Sequence, residues 1–211
     1  LLQRLKRWED AEDQARAVLA LDPHHAGAHE ALSLALMRQG FRAESLQALE
    51  SAISLQPERR DLFSRRLFAL NFVEGVGAEE LFHKHLEFGQ RQEALVEPAF
   101  RGRNSSSLDP KRKLVLGFVS SDLTLHPVTV FLLPLLQELD RSRCLVNVYS
   151  TGDGPEDYIT EKVREASDKW ADLSKSSEIQ MAQAIADDEV DVLFDLAGHT
   201  SKSTLGLFAL Q

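Results

Sequence analysis

With 211 residues the chain has room for one large domain or two small ones, and its 43% hydrophobic and 27% charged content is ordinary for a globular protein. A net charge of −9 speaks against a nucleic-acid surface, and no apolar run approaches the roughly 20 residues of a membrane span. Cys144 is the only cysteine, which excludes an internal disulfide, a four-cysteine zinc site and a CxxC motif, so a reducing, cytoplasmic setting is expected.

The chain begins without Met inside an amphipathic, charged pattern (Leu1 to Trp8), so no signal peptide is expected. Its last residues, Leu205 to Gln211, carry an apolar run with no stop signal, and a piece of a longer protein is expected. Leu21-Asp22-Pro23 and Leu55-Gln56-Pro57 recur 34 residues apart, the period of the tetratricopeptide helix pair. Around them, Leu32, Leu36, Leu49 and Ala52 fall at packing positions, and Gly40 falls in a turn. Ala11 and Ser45 fall where small residues let helices approach, and Trp8, Ala15 and Leu19 supply packing in the first pair. Stacked pairs of this kind make a concave surface for extended peptides.

Beyond Pro57 the period fails. Arg60 to Phe72 reads as a helix with Leu62, Phe63, Leu67, Phe68 and Leu70 on its apolar face. Ala78 to Gln92 reads as another, with a stripe of Leu81, Phe82, His85, Leu86 and Phe88. His83 and His85 stand on different faces of that helix and are poor joint metal ligands. His24 and His25, in an inter-helix turn, are expected to be solvated. Glu97 to Pro110 (EPAFRGRNSSSLDP) has turn chemistry without periodicity and reads as the linker.

From Leu114 the pattern alternates strand and helix. Strands are expected at Leu114–Ser120, Cys144–Ser150 and Asp191–Leu196, and helices at Val128–Leu139, Asp157–Ala166 and Ser177–Asp187. Phe131, Leu132, Leu135, Leu136 and Leu139 are the apolar residues of the first of these helices, and Trp170 and Leu173 are expected to cover the sheet. Such alternation implies a parallel sheet with helices packed across it, and three strands leave the sheet incomplete.

Ligands of open parallel sheets bind beyond the carboxyl ends of the strands. His126 lies six residues past the first strand, fixed by Pro127, where an imidazole can give or take a proton. The bland alternative is a loop histidine that caps a helix or meets solvent. Gly198, His199 and Thr200 stand at the same edge of the last strand, where small residues admit a ligand close to the backbone. Asp122 either orients His126 or caps the following turn, and Asp195 is expected to pair with Ser120 or Ser121. Gly152-Asp153-Gly154 reads as an ordinary turn. No GxGxxG, P-loop or GxSxG is present.

Several segments together resemble the O-linked N-acetylglucosamine transferases and their SPINDLY relatives, glycosyltransferase family 41. They are RRLFALNF, AEELFHKHLEFG, LVLGFVSSDLTLHPV, LVNVYSTG, KWADL, DVLFDLAGHT and LFAL, in the family's order and with similar spacing. The resemblance implies an α plus α/β architecture: tetratricopeptide helical repeats followed by a partial Rossmann-like lobe of a GT-B glycosyltransferase. In that reading residues 1–70 are the repeats, 71–110 the connecting helices and linker, and 111–211 the first half of the amino-terminal catalytic lobe. It implies transfer of N-acetylglucosamine from UDP-GlcNAc to Ser or Thr of acceptor proteins, with inversion and without a cofactor or metal ion. The repeat groove would bind the acceptor protein.

By the same resemblance His126 is the histidine of the family's HP motif, a proposed base and a contact near donor sugar and acceptor. Pro127, Asp122, Gly198, His199 and Thr200 would border the substrates. Animal members carry an aromatic residue where His199 stands, so this chain follows the bacterial-type form. The 211 residues alone are expected to be inactive, because the family's second lobe supplies the lysine at the diphosphate. Two other readings stay open: a non-catalytic peptide-binding scaffold, and a transferase using another donor such as GDP-fucose.

Overall fold

The computed structural model describes residues 7–94, 109, 111–200 and 202–210. All of the expected linker except Asp109, most of the Leu1–Trp8 pattern, and the last residue lie outside the described set. The chain divides into two compact units, Leu1–Gln90 and Arg91–Gln211.

The first unit is helical: α1 (Trp8–Leu21), α2 (Ala26–Gln39), α3 (Arg42–Leu55), α4 (Arg60–Leu70) and α5 (Ala78–Ala94), whose last residues enter the second unit. The 34-residue period holds in space, since α3 starts and ends 34 residues after α1. Gln39, at the end of α2, donates to Glu12 near the start of α1, so these two helices run antiparallel. Gly40 ends α2 with φ +92°, a left-handed conformation that costs glycine little and returns its N–H to the last turn. Ala11 and Ser45 are both buried, as their small size requires. Ser45 is fully covered and donates its hydroxyl to the Ser33 carbonyl at 2.7 Å, so its burial strands no polar group.

Packing follows the apolar spacing in two clusters. Ala15, Leu32, Leu36 and Ala48 form one, with Leu19 against it. Leu49, Ala52, Ile53, Leu62 and Phe63 form the other, with Phe88 of α5 against it. The α5 stripe is only partly used, because Phe82 and Leu86 are exposed. Phe68 is likewise exposed and sits beside the Phe72 ring, 5.1 Å between centroids. His25 is not simply solvated: its Nδ1 accepts the Ala28 N–H at 3.0 Å and caps α2.

The second unit is a four-stranded parallel sheet with helices on both faces. Its elements are β1 (Leu114–Ser120), α6 (Pro127–Glu138), β2 (Cys144–Ser150), α7 (Tyr158–Glu165), β3 (Lys169–Asp172), α8 (Glu178–Asp187), β4 (Val192–Asp195) and α9 (Leu205–Phe208). The order is β3-β2-β1-β4. β1 pairs with β2 from Leu114↔Cys144 to Ser120↔Ser150, and with β4 from Leu116↔Val192 to Val119↔Asp195. Alternate strand residues point to opposite faces. Phe118, Val146 and Val148 meet Leu132 and Leu136 of α6 and Val163 of α7 on one side. Val119 and Tyr149 meet Met181, Ala182 and Ile185 of α8 and Leu207 of α9 on the other.

Two expectations are corrected here. The sheet has a strand more than the three expected, because Lys169–Asp172 is itself a strand, paired with Asn147–Ser150. Trp170 therefore belongs to the edge strand itself, packing against the Phe118 and Val148 cluster with the Arg164 guanidinium 4.8 Å from its ring centroid, and Leu173 packs on the other face. A four-residue edge strand flanked by Lys and Asp has no apolar run to announce it. In α6 only part of the expected apolar set is buried. Leu132 and Leu136 face the sheet, while Phe131 is 79% and Leu135 50% exposed.

Leu136→Ala should therefore lower the stability of this unit by about 2–5 kcal/mol, and Phe131→Ala should change it by less than about 0.5 kcal/mol. Urea denaturation of the two variants checks the assignment of faces. Equal losses would contradict it.

Candidate functional site

Parallel pairing brings the carboxyl ends of all four strands to one edge. The chain leaves β1 toward β2 and β3 and returns on β1's other side as β4. That reversal is a topological switch point, where open α/β sheets bind ligands. The β1–α6 loop carries Asp122, His126 and Pro127 to this edge, and the turn after β4 carries Gly198, His199 and Thr200 beside it.

His126 is the N-cap of α6 and Pro127 its first residue, which suits proline's fixed φ and missing donor. His126 Nδ1 accepts the Val128 N–H at 3.3 Å. In the neutral ring the proton then sits on Nε2, so the imidazole is set as a hydrogen-bond donor. Taking a proton at Nε2 would require the other tautomer, whose Nδ1–H opposes the Val128 N–H. The buried Thr129 hydroxyl bonds the loop from below, 2.7 Å from the carbonyls of both Thr124 and His126.

No hydrogen bond joins Asp122 to His126 among the described residues. The Asp122 N–H instead donates to the Ser120 hydroxyl at 3.0 Å. Asp195 also departs from expectation. Its carboxylate accepts the N–H groups of Ala197 (3.1 Å) and Gly198 (2.7 Å) rather than a Ser120 or Ser121 hydroxyl. An Asp side chain that bonds backbone amides two and three residues on builds a tight turn. Gly198 occupies that turn with φ +55°, and Thr200 closes it, donating its hydroxyl to the Ala197 carbonyl at 2.8 Å.

A hollow of about 640 Å3 opens beside the β1–α6 loop, toward β2 and β3. Its wall includes Ser121, Asp122 and Thr124 from that loop, residues 152–157 after β2, Asp172 at the end of β3, Ser174 and Lys175 after it, and Lys202 after β4. His126, Pro127, Gly198, His199 and Thr200 are not on that wall. The hollow is therefore walled by one part of the β1–α6 loop, Ser121 to Thr124, while His126 and Pro127 at the end of that segment stand off it. Five carboxylates face two lysines in the hollow. Lys202 and Asp153 form an ion pair, and the ammonium holds the Asp153 carboxyl below its ordinary range. The Ser174 hydroxyl and N–H do the same for Asp172.

Sequence reasoning missed two features of this edge. Gly152 is more than an ordinary turn residue: a Cβ there would run into the Ser121 carbonyl oxygen, so only glycine lets the β2 loop lie against the β1 loop. Asp157 caps α7 through the N–H groups of Ile159 and Thr160, and its second oxygen accepts the Leu125 N–H at 2.7 Å. That last bond is the main cause that holds the Asp157 carboxyl below the usual range. The D-x-x-T spacing before an apolar pattern was the available signal for the cap. The contact to Leu125, 32 residues away, has none in the sequence.

Comparison with known proteins decides the family. A profile of Glycosyl transferase family 41 matches residues 82–211. The chain belongs to glycosyl transferase family 41. It is 31% identical over 169 residues to a probable UDP-N-acetylglucosamine--peptide N-acetylglucosaminyltransferase SPINDLY of Oryza sativa subsp. japonica, covering 79% of this chain and 18% of that protein. A protein of the same name from Petunia hybrida is 29% identical over 162 residues, 75% of this chain and 17% of that protein. Among solved structures, a point mutant of Thermobaculum terrenum O-GlcNAc transferase matches with TM-score 0.82 at 28% identity, over 96% of this chain and 38% of that one. The family 41 chain described here thus spans less than a fifth of the length of these curated relatives.

The close approach of the two loops yields a direct test. Gly152→Ala should cost about 1–3 kcal/mol, because the added methyl meets backbone that cannot move aside without reshaping the hollow. Gly154→Ala, where a Cβ meets open space, should be close to neutral. Melting temperatures of the two variants measure the difference, and a neutral Gly152→Ala would refute the packing.

Proposed function

We propose that this chain is part of a protein O-glycosyltransferase that moves N-acetylglucosamine from UDP-GlcNAc to Ser or Thr hydroxyls, with inversion at C1. The observation that carries the reading is the family 41 match over residues 82–211, with the His126-Pro127 loop at the sheet's switch point. The names of the rice, petunia and Thermobaculum proteins support N-acetylglucosamine as the sugar. In this reading α1 to α4 are tetratricopeptide repeats, supported by their 34-residue period and buried small residues, and their groove takes the acceptor protein. The α/β unit is the first part of one GT-B lobe, and the donor is shared with a second lobe.

The transfer joins the acceptor oxygen to C1 while the C1–O bond to UDP breaks and its electron pair leaves with the diphosphate. The acceptor proton passes to solvent or to a base. Catalysis then consists of positioning the reactants and stabilising charge where it develops. His126 serves as an Nε2–H donor to an oxygen of sugar or acceptor, the role its cap bond favours. Pro127, Gly198, His199 and Thr200 border the same space, and Asp122 faces the polar hollow. The carboxylate-rich hollow would repel a diphosphate, which supports placing the phosphate contacts outside it.

Radiolabelled transfer by the complete protein tests the reading. UDP-GlcNAc should serve as donor, and GDP-fucose should not. His126→Ala should lower transfer about a hundredfold. Transfer unchanged by that substitution would remove His126 from the mechanism. Residues 1–211 alone should transfer no sugar, and turnover by them would overturn the two-lobe reading.

A further inference from the structure

The segment between β1 and α6 has no ladder of its own; the buried Leu123 side chain anchors its middle, and bonds from neighbours hold the rest. Leu125 shows the need. Its side chain is 66% exposed, so packing does not hold the residue that precedes His126. Its backbone is held instead, by the Asp157 carboxylate at 2.7 Å. Two residues earlier, the Leu123 carbonyl accepts the hydroxyl of Thr160 at 2.9 Å, and Thr160 is 2% exposed. Both bonds come from the start of α7. Capping α7 takes one carboxylate oxygen, Oδ1, which accepts from the Ile159 and Thr160 amides. The Oδ2 bond to Leu125 goes beyond what the helix requires.

We propose that Asp157 and Thr160 form a backbone clamp that sets the direction of His126, making them positioning residues for sugar transfer. The inference rests on the reading of His126 as a substrate contact. The two bonds bracket Thr124 and fix the peptide units leading into His126, while the cap bond from Val128 fixes the ring. A displacement of about 1 Å at such a group can cost about a hundredfold in rate.

Asp157→Asn separates the two jobs of this side chain. Asn caps helices as well as Asp does, but it has one acceptor oxygen where the site uses two. Thr160→Val removes the other bond at nearly constant volume. Backbone amide exchange of the complete protein reads the clamp without reference to activity. In Asp157→Asn, exchange at Leu125 should quicken about tenfold or more, with the β1 and β2 amides unchanged. Unchanged protection at Leu125 would overturn the clamp.

Sugar transfer reads the positioning role. Asp157→Asn should lower kcat about tenfold with little change in the donor KM, and should cause no further loss when added to His126→Ala. Fully additive losses would overturn the positioning role. Should the wild-type protein transfer no sugar, the glycosyltransfer reading falls, and the exchange data still decide the clamp.

Discussion

Parallel pairing of β1 on both sides is the constraint from which the α/β unit follows. A strand bonded to neighbours along both edges, with both faces covered, must consist of apolar residues, and Leu114 to Val119 does apart from Gly117. Because β2 and β4 run parallel to it, each connection has to cross back over a face of the sheet, which brings in α6 to α8. The same geometry sends the carboxyl ends to one edge. The loop holding His126 and the turn holding Gly198 to Thr200 are neighbours because Leu116–Val119 pairs with Val192–Asp195, although some 70 residues of chain separate them.

This edge is built largely from backbone bonds. Asp195 turns the chain after β4, Thr129 and Asp157 hold the loop after β1, and Gly152 lets the loop after β2 press against it. Short polar side chains that bond main-chain groups leave the loop surfaces to a ligand. They also make geometry depend on few contacts, each of which can be removed singly. His126 illustrates the consequence. With Nδ1 accepting the Val128 N–H, the orientation of its ring is tied to where that helix begins.

Legibility in the sequence followed the density of the physical signal. β1 and β2 were readable to the residue, since each is a short, largely apolar run of strand-forming residues, broken in β2 only by the buried Asn147. The helix pairs were readable from a period and from small residues such as Ala11 and Ser45. β3 was not, because Lys169–Asp172 is a short edge strand with charged ends. The outward side of α6 was not legible because Phe131 and Leu135 carry the same apolar character as Leu132 and Leu136, so composition could not tell the buried side from the exposed one. The position of His126 and of Gly198 to Thr200 was legible as an edge. Their separation from the acid-lined hollow was not, nor was the hold of Asp157 on Leu125, since both depend on contacts between residues far apart in the chain.

In the proposed function, the edge formed by the loops after β1 and β4 faces the donor. Hydrogen–deuterium exchange of the complete protein, with and without UDP-GlcNAc, tests it most directly. Slower exchange is predicted over residues 120–127 and 197–204 when the nucleotide sugar is present, with the amino-terminal ends of the same strands unaffected. Protection confined to the opposite edge of the sheet, or binding that leaves both loops unchanged, would contradict it.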